Sequence, residues 1–446
     1  MNRKLNRSRI SMQSSLVAGL LAGGVLGIAA PAHSSEYQLT ALTTDDNANL
    51  TSLGFPAAAN VDSNLVNPWG ISFGPTTPFW VSDNGTGVAT LYTAGGVPFP
   101  VGTPLVVSIA PPNGSPPGFT SAPTGQVFNN NANDFIVSNG TTSGSANFIF
   151  ATEDGTISGR SGAVSGGTQS FIGVDNSPSG AVYKGLAIAT IGGSNFLFAA
   201  NFNSGKVEEY NSSFGFVRSF TDPNPPQVPA GTPPGQNWAP FNVQQINGQL
   251  YVTFALQNDA KHDDVAGAGN GFVDVFDLNG NFVKRLINTG ARDPLNSPWG
   301  LTTAPGGFGA FANDLLVGNF GDGEIHAFDP ISGAFLGTLS ASNGNPIEIP
   351  GLWDITFGNG GAGVDPNAIY FTAGLPEADM PDVLEKAGLF STLSVVPEPG
   401  SLALLATGLA GLMWFKRRRG GAPDNRWGAS YHLRPPLNLV RSNLPA

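Results

Sequence analysis

The chain has 446 residues, no cysteine, and 31 Asp and Glu against 20 Lys and Arg. No disulfide can staple the fold, so stability must come from a core, and a chain of this length can bury a large one. Between residues 35 and 395 only nine Lys and Arg face 29 Asp and Glu, a net charge of −20 that argues against nucleic acid or anionic lipid as partner.

Arg3, Lys4, Arg7 and Arg9 precede an apolar stretch from Leu16 to Ala30. Ala30-Pro31-Ala32 or Ala32-His33-Ser34 then supplies a small-x-small cleavage site. This pattern predicts a signal peptide over 1–34 and a mature chain that folds outside the cytoplasm.

The mature chain repeats itself. "PWGISF" (68–73), "PTGQVF" (123–128), "YKGLAI" (183–188), "PFNVQQ" (240–245), "PWGLTT" (298–303) and "LWDITF" (352–357) align on Gly70, Gly125, Gly185, Asn242, Gly300 and Asp354. The gaps are 55, 60, 57, 58 and 54 residues, a propeller-like period. Asn and Asp tolerate positive φ better than other non-glycines, so the pattern predicts one left-handed geometry repeated six times. A second element follows each motif. "FWVSDNGTGVATLY" (79–92), "LFAANFNSGKVEEY" (197–210) and "LLVGNFGDGEIHAF" (315–328) read as strand, tight polar turn, strand. Turns at 211–215, 278–281 and 331–334 lead to a last strand, giving four antiparallel strands per repeat. The sixth repeat runs one strand short, and "YQLTALT" (37–43) is the spare strand that would close it and remove the exposed edge. The fold class is therefore all-β, a six-bladed β-propeller over 36–395, with a pair of β-sandwiches as the alternative.

Candidate ligand residues follow from the loop positions. Asn67 and Asn296 precede inner strands, while Asp83, Asn84, Asn201, Asn203, Asn319 and Asp322 stand at the turns between second and third strands. Oxygen-rich side chains converging on a channel suit a hard cation such as Ca2+. The same residues are also what tight turns demand. The loop "ALQNDAKHDDVAGAGNG" carries His262, Asp263 and Asp264, an acid–base or metal cluster or else an ordinary loop. "GLPEADMPDVLEKAG" (374–388) is expected to form a short helical lid or a solvated loop. Glu153-Asp154-Gly155 reads as a hairpin turn on the opposite face, with no chemistry assigned. Trp69, Trp299 and Trp353 read as blade packing, with a carbohydrate platform as the secondary reading. The Pro-rich stretch 222–238 is a stiff connection between the third and fourth repeats. No G-x-S-x-G, phosphate loop, dinucleotide fingerprint or His-Glu-x-x-His is present.

At the far end, Pro397-Glu398-Pro399 precedes an uncharged apolar run from Leu402 to Phe415 and the cluster Lys416, Arg417, Arg418, Arg419. The run spans only about 20 Å as a helix, short for a permanent anchor. These features in this order resemble the PEP-CTERM sorting signal of Gram-negative bacteria. The resemblance implies recognition by an exosortase-type membrane enzyme, transient attachment to the inner membrane through 396–419, and delivery to the surface or extracellular matrix. Family tails normally end at the basic cluster, whereas 420–446 continue here as a polar extension expected to be disordered. The repeats, with Val66-Asn67-Pro68-Trp69-Gly70-Ile71, "EDGTISG" (153–159) and "HDDVAGAGNGFVDVFDLNG" (262–280), resemble NHL-type blades and exported bacterial propellers of unassigned function. This resemblance implies fold and export and names no reaction. The sequence supports a non-catalytic surface-binding or scaffold module, with polysaccharide or surface proteins as partners and no nucleic acid. A matrix component is a related reading. The alternative is a lactonase-like hydrolase using a divalent metal at the top face; no cofactor is certain and the metal is unknown.

Overall fold

The computed structural model describes residues 36–289, 294–361 and 363–397. The expected signal peptide, sorting helix and polar tail lie outside the described residues.

Six antiparallel sheets follow one another along the chain. Blade I holds Pro68–Ser72, Phe79–Asp83, Val88–Tyr92 and Val107–Ser108, from inner to outer strand. Blade II holds Pro123–Phe128, Phe148–Thr152, Thr156–Arg160 and Phe171–Asp175, with a small hairpin (Ile136–Ser138, Ser143–Ser145) between its first two strands. Blade III holds Tyr183–Ile191, Ser194–Asn201, Lys206–Tyr210 and Phe216–Phe220. Blade IV holds Trp238–Ile246, Gln249–Leu256, Gly271–Asp277 and Phe282–Ile287. Blade V holds Pro298–Thr303, Leu315–Asn319, Ile325–Phe328 and Phe335–Thr338. Blade VI takes Leu352–Phe357, Ile369–Leu375 and Ala387–Val395 from the end of the domain and Tyr37–Thr44 from its start. The closing register runs from Tyr37 opposite Val395 to Thr44 opposite Leu389, and a short parallel strand, Asn60–Val61, covers its outer edge. Each inner strand touches the next, including blade VI against blade I, so the ring is closed.

Apolar residues alternate to both faces of each sheet, and every pair of neighbouring blades buries its own core. A separate cluster on the axis joins Trp69, Phe202, Phe241, Trp299 and Trp353. Close approach, rather than positive φ, explains the repeated inner glycines. Neither Asn242 nor Asp354 has positive φ, and nor do Gly70, Gly125, Gly185 and Gly300. A Cβ on Gly70 would lie 2.7 Å from Thr124 O, and one on Gly300 2.6 Å from Trp353 O, both on the next blade. Where Asn and Asp replace glycine, their side chains clasp that neighbour instead. Asn242 Nδ2 donates to Trp299 O at 2.9 Å, and Asp354 Oδ2 accepts from Ile71 N at 2.7 Å. Left-handed glycines stand instead in turns, among them those between second and third strands: Gly87, Gly205 and Gly323 at φ 70, 71 and 75. Each donates to the residue that ends the second strand, Asp83, Asn201 or Asn319. Gly300→Ala is accordingly expected to destabilise the domain by about 2 kcal/mol through backbone displacement, read as a lower urea midpoint at unchanged m-value.

Candidate functional site

The chain leads into each inner strand, and crosses from second to third strand, on one face of the ring, called the top. On that face the pairing of inner and second strands slips near the inner strand's start in all six blades. A bulge re-aims the side chain it carries. The residues at the slip are Trp69, Thr124, Lys184, Phe241, Trp299 and Trp353. Three indoles and a phenyl ring meet on the axis: Trp69 stacks on Trp353 at 3.4 Å between centroids and meets Trp299 edge-on at 5.9 Å, while Phe241 lies 6.0 Å from Trp353. Blade III alone places a cation there.

Lys184 is 2% exposed, and its ammonium lies 5.1 Å from the Trp69 ring centre, a cation–π contact. Its Nζ bonds Glu153 Oε1 and lies 3.3 Å from Asp263 Oδ1. Glu153 Oε2 accepts from Asn84 Nδ2 at 2.8 Å. Asn84 Oδ1 accepts from Asn67 Nδ2 at 3.2 Å, and the same amide donates to Glu385 Oε1 at 3.2 Å. His262 Nδ1 pairs with Asp263 Oδ1 at 2.7 Å. The plug supports this layer from beneath: Trp353 Nε1 donates to Asn67 Oδ1 at 3.0 Å and Trp299 Nε1 to Lys184 O at 3.1 Å. Loops of blades I, II, IV and VI thus converge on the lysine of blade III. Two of the converging residues, Asn67 (φ 47) and Glu385 (φ 69), hold left-handed backbones, a strain that clusters at functional sites.

The electrostatics follow from burial. Burial opposes the charge on Lys184, but Glu153 and Asp263 outweigh it, and its pKa stands above the ordinary lysine value. The hydrogen bond from His262, with Lys184 beside it, holds the Asp263 carboxyl well below the usual carboxylate range, and the same bond raises His262. Glu385 is pushed up to about 7, first by burial and then by Glu153. An acid raised in the folded state stabilises fully below its unfolded value, and that contribution is lost as pH rises through the folded one. Stability is therefore expected to fall between about pH 4.5 and pH 7, and Glu385→Gln should flatten that part of the curve. Melting temperatures across this range check it; equal slopes in both proteins would refute the assignment.

Over 326 residues the chain is 32% identical to the uncharacterized protein R648 of Acanthamoeba polyphaga mimivirus, covering 72% of this chain and 74% of that one. The chain belongs to that protein's family. Residues 395–419 match the PEP-CTERM protein-sorting motif. That motif is a sorting signal processed by exosortase, and it implies export and a surface or extracellular location. Among solved structures, a Bacteroides thetaiotaomicron protein of unknown function is similar at TM-score 0.45 and 10% identity, covering 81% of this chain and 77% of that one. A virginiamycin B lyase from Staphylococcus aureus is similar at TM-score 0.43 and 13% identity, covering 81% of this chain and all 100% of that one.

Of the residues singled out in this family member's sequence, Asn67, Asn84, His262 and Asp263 meet at the centre. Asp264 follows in the same loop, where burial raises its carboxyl. The others hydrogen-bond within their own blade or to the adjoining one, away from the centre. Asp83 is fully buried in blade I, takes the Thr90 hydroxyl at 2.7 Å and is driven well above the carboxylate range by burial. Asn201 Nδ2 donates to Glu208 within blade III, and Asn203 contributes its backbone carbonyl to Gln257. Asn296 and Asn319 both donate to Asp322 Oδ2, at 3.1 and 3.3 Å, tying one blade V turn. One expectation is corrected, and for the 374–388 loop and the three tryptophans the favoured readings, loop and blade packing, hold. Glu153-Asp154-Gly155 joins second to third strand of blade II, so it lies on the top face, and Glu153 is a principal partner of Lys184. The 374–388 loop contains turns and no helix, and its contribution is Glu385. Trp69, Trp299 and Trp353 are each 1% exposed, which leaves no open stacking platform. Lys184 itself went unremarked, although the aligned motifs display it: their second letters read W, T, K, F, W, W.

Proposed function

We propose that this exported propeller is a surface-binding module whose ligand site is the polar layer above the axial plug. The observation that supports it is Lys184, a buried charge where four of the other five blades place an aromatic ring. Burying a charge and its partners is costly compared with another apolar ring. The neighbouring blades are already clasped by Asn242, Asp354 and Gln126, which donates to Gly70 O at 2.6 Å. The polar layer is therefore surplus to closure, and ligand recognition is the role that accounts for it. Asp263 (59% exposed) and His262 (44%) open the layer to solvent. Carboxylates, amides and an imidazole fixed in one ring suit a hydroxyl-rich ligand, and with the sorting signal this favours surface polysaccharide, bound without catalysis. Export is followed by exosortase processing of the tail.

The test is retention of the purified domain on immobilised polysaccharide from the producing cell. Wild type should be retained, and His262→Ala, a change at a side chain 44% exposed that leaves the Lys184–Glu153 pair in place, should elute with the void at similar melting temperature. Equal retention of both would remove the site from the function.

The metal-hydrolase reading rests on Glu153, His262 and Asp263, whose ligand atoms lie within 4.8 Å of one another. The donor set does not fit Ca2+ well. The Lys184 ammonium already bridges two of its carboxylates, so a second cation would meet its charge, and one of the three ligands is nitrogen. Melting of the purified domain should be the same in millimolar calcium and in chelator. A large calcium-dependent rise would restore the hydrolase reading.

A further inference from the structure

We infer that the protein stands on a phospholipid surface with its bottom face down and its Lys184 layer facing away. The inference rests on the proposed attachment through the sorting segment, and two observations carry it beyond that reading.

The first is where the chain leaves the fold. Ala387–Val395 is the third strand of blade VI, entered from the top-face loop that carries Glu385 and leaving toward the bottom. It stays in the sheet to its end: Val395 pairs with Tyr37, and Val396 N donates to Glu36 O at 2.8 Å. The sorting motif begins at residue 395, so no linker separates blade from motif. Pro397 follows at once, and proline cannot continue the ladder. Only residues 397–401 lie between the last sheet bond and Leu402, the first residue of the apolar run. Such a stretch reaches about 17 Å when fully extended. A propeller on so short a tether cannot turn its far face to the surface that holds the apolar run.

The second is the distribution of charge. The connections on the bottom face, from inner to second and from third to outer strand, carry Asp134, Asp314, Asp329 and Asp365 and no Lys or Arg among the described residues, and Glu36 stands at the same end beside Val396. Asp134 is itself buried. Elsewhere these turns are uncharged, as in 192–193, 211–215 and 278–281. The top-face connections hold Asp45, Asp46, Glu153, Asp259, Asp263, Glu377, Asp379 and Glu385, among other acids, against Lys261 and Lys386 among the described residues. Repulsion from anionic headgroups acts over about a Debye length and grows with the acidic charge a face presents, so the less acidic bottom face is repelled least. Tether and charge select the same orientation.

The natural chain has no cysteine, so single labels are simple to place. Asn279 is exposed on a bottom turn of blade IV, and Asp382 is exposed on the top-face loop of blade VI. The chain from residue 36 to 446 is reconstituted into phosphatidylethanolamine–phosphatidylglycerol vesicles bearing nitroxide headgroups, with a fluorophore on N279C or D382C. Flotation with the vesicles and quenching of N279C but not D382C are expected. A flexible insert of about 20 residues after Val396 should relieve the N279C quenching by releasing the short tether. Flotation with D382C quenched as strongly as N279C would overturn the orientation while leaving attachment intact. A chain that does not float would overturn attachment and the inference together.

Discussion

Lys184→Met is expected to cost the domain about 3 kcal/mol at neutral pH, the usual result of removing one partner from a buried ion pair. Methionine keeps the stem's packing against Trp69, so the loss reports charge rather than volume. Glu153 and Glu385, with the more exposed Asp263 beside them, are then left without their cation. The deficit should therefore shrink below about pH 4, where carboxylates are protonated. In the natural protein the sign is opposite for the lysine. Its folded pKa lies above the ordinary value, so its contribution is complete through neutral pH and is lost only as pH rises past the lysine range. Urea titrations at pH 4 and pH 7 measure both ends. A variant as stable as wild type at pH 7 would show that the layer is solvated enough to dispense with its cation.

Removing residues 36–44 should have the larger effect. The closing strand buries Tyr37, Ala41 and Leu42 and covers Leu389, Phe390 and Leu393, all fully or nearly fully buried. Tyr37 also stacks on Phe311 and meets Phe308, tying blade VI to blade V. Losing these contacts costs on the order of 6 kcal/mol by apolar area alone, comparable with the whole stability of many domains. The strand left behind would be a long apolar edge, open to pairing with other chains. The shortened domain is expected to aggregate without a cooperative melt, and a peptide of residues 36–44 added in trans should restore one. A shortened domain melting within a few degrees of wild type would mean that the other blade interfaces suffice to close the ring.

Much of the fold was legible because a propeller writes its period into the chain. Six inner motifs, their turns and the missing sixth strand all appear in the residue order. The physical reason for the inner glycines was not legible there. Gly70 and Gly300 are required by the neighbouring blade, a contact some 55 residues away that no local propensity reports. Glu153 was placed on the wrong face for a related reason. Blade II carries a long connection between its first two strands, holding the extra hairpin, and counting turns from the motif assigned Glu153 to the next turn along. The candidate site was only half legible. His262 and Asp263 stand out as an unusual run in a long loop. Glu385 is hidden in a loop whose acids look alike, and only the ring brings it to Asn67. Lys184 is visible as the one basic letter in a column otherwise of four aromatic residues and a threonine, a signal that comes from comparing blades rather than from any motif.

A ligand bound at Lys184 would be reported directly by the ammonium of that residue. A buried, ion-paired ammonium exchanges its protons slowly enough to be followed by 15N-edited NMR. The Lys184 Nζ signal is expected to persist past the ordinary lysine range and to move when surface polysaccharide is added. A protein that binds the polysaccharide while the Lys184 signal stays in place would contradict this expectation.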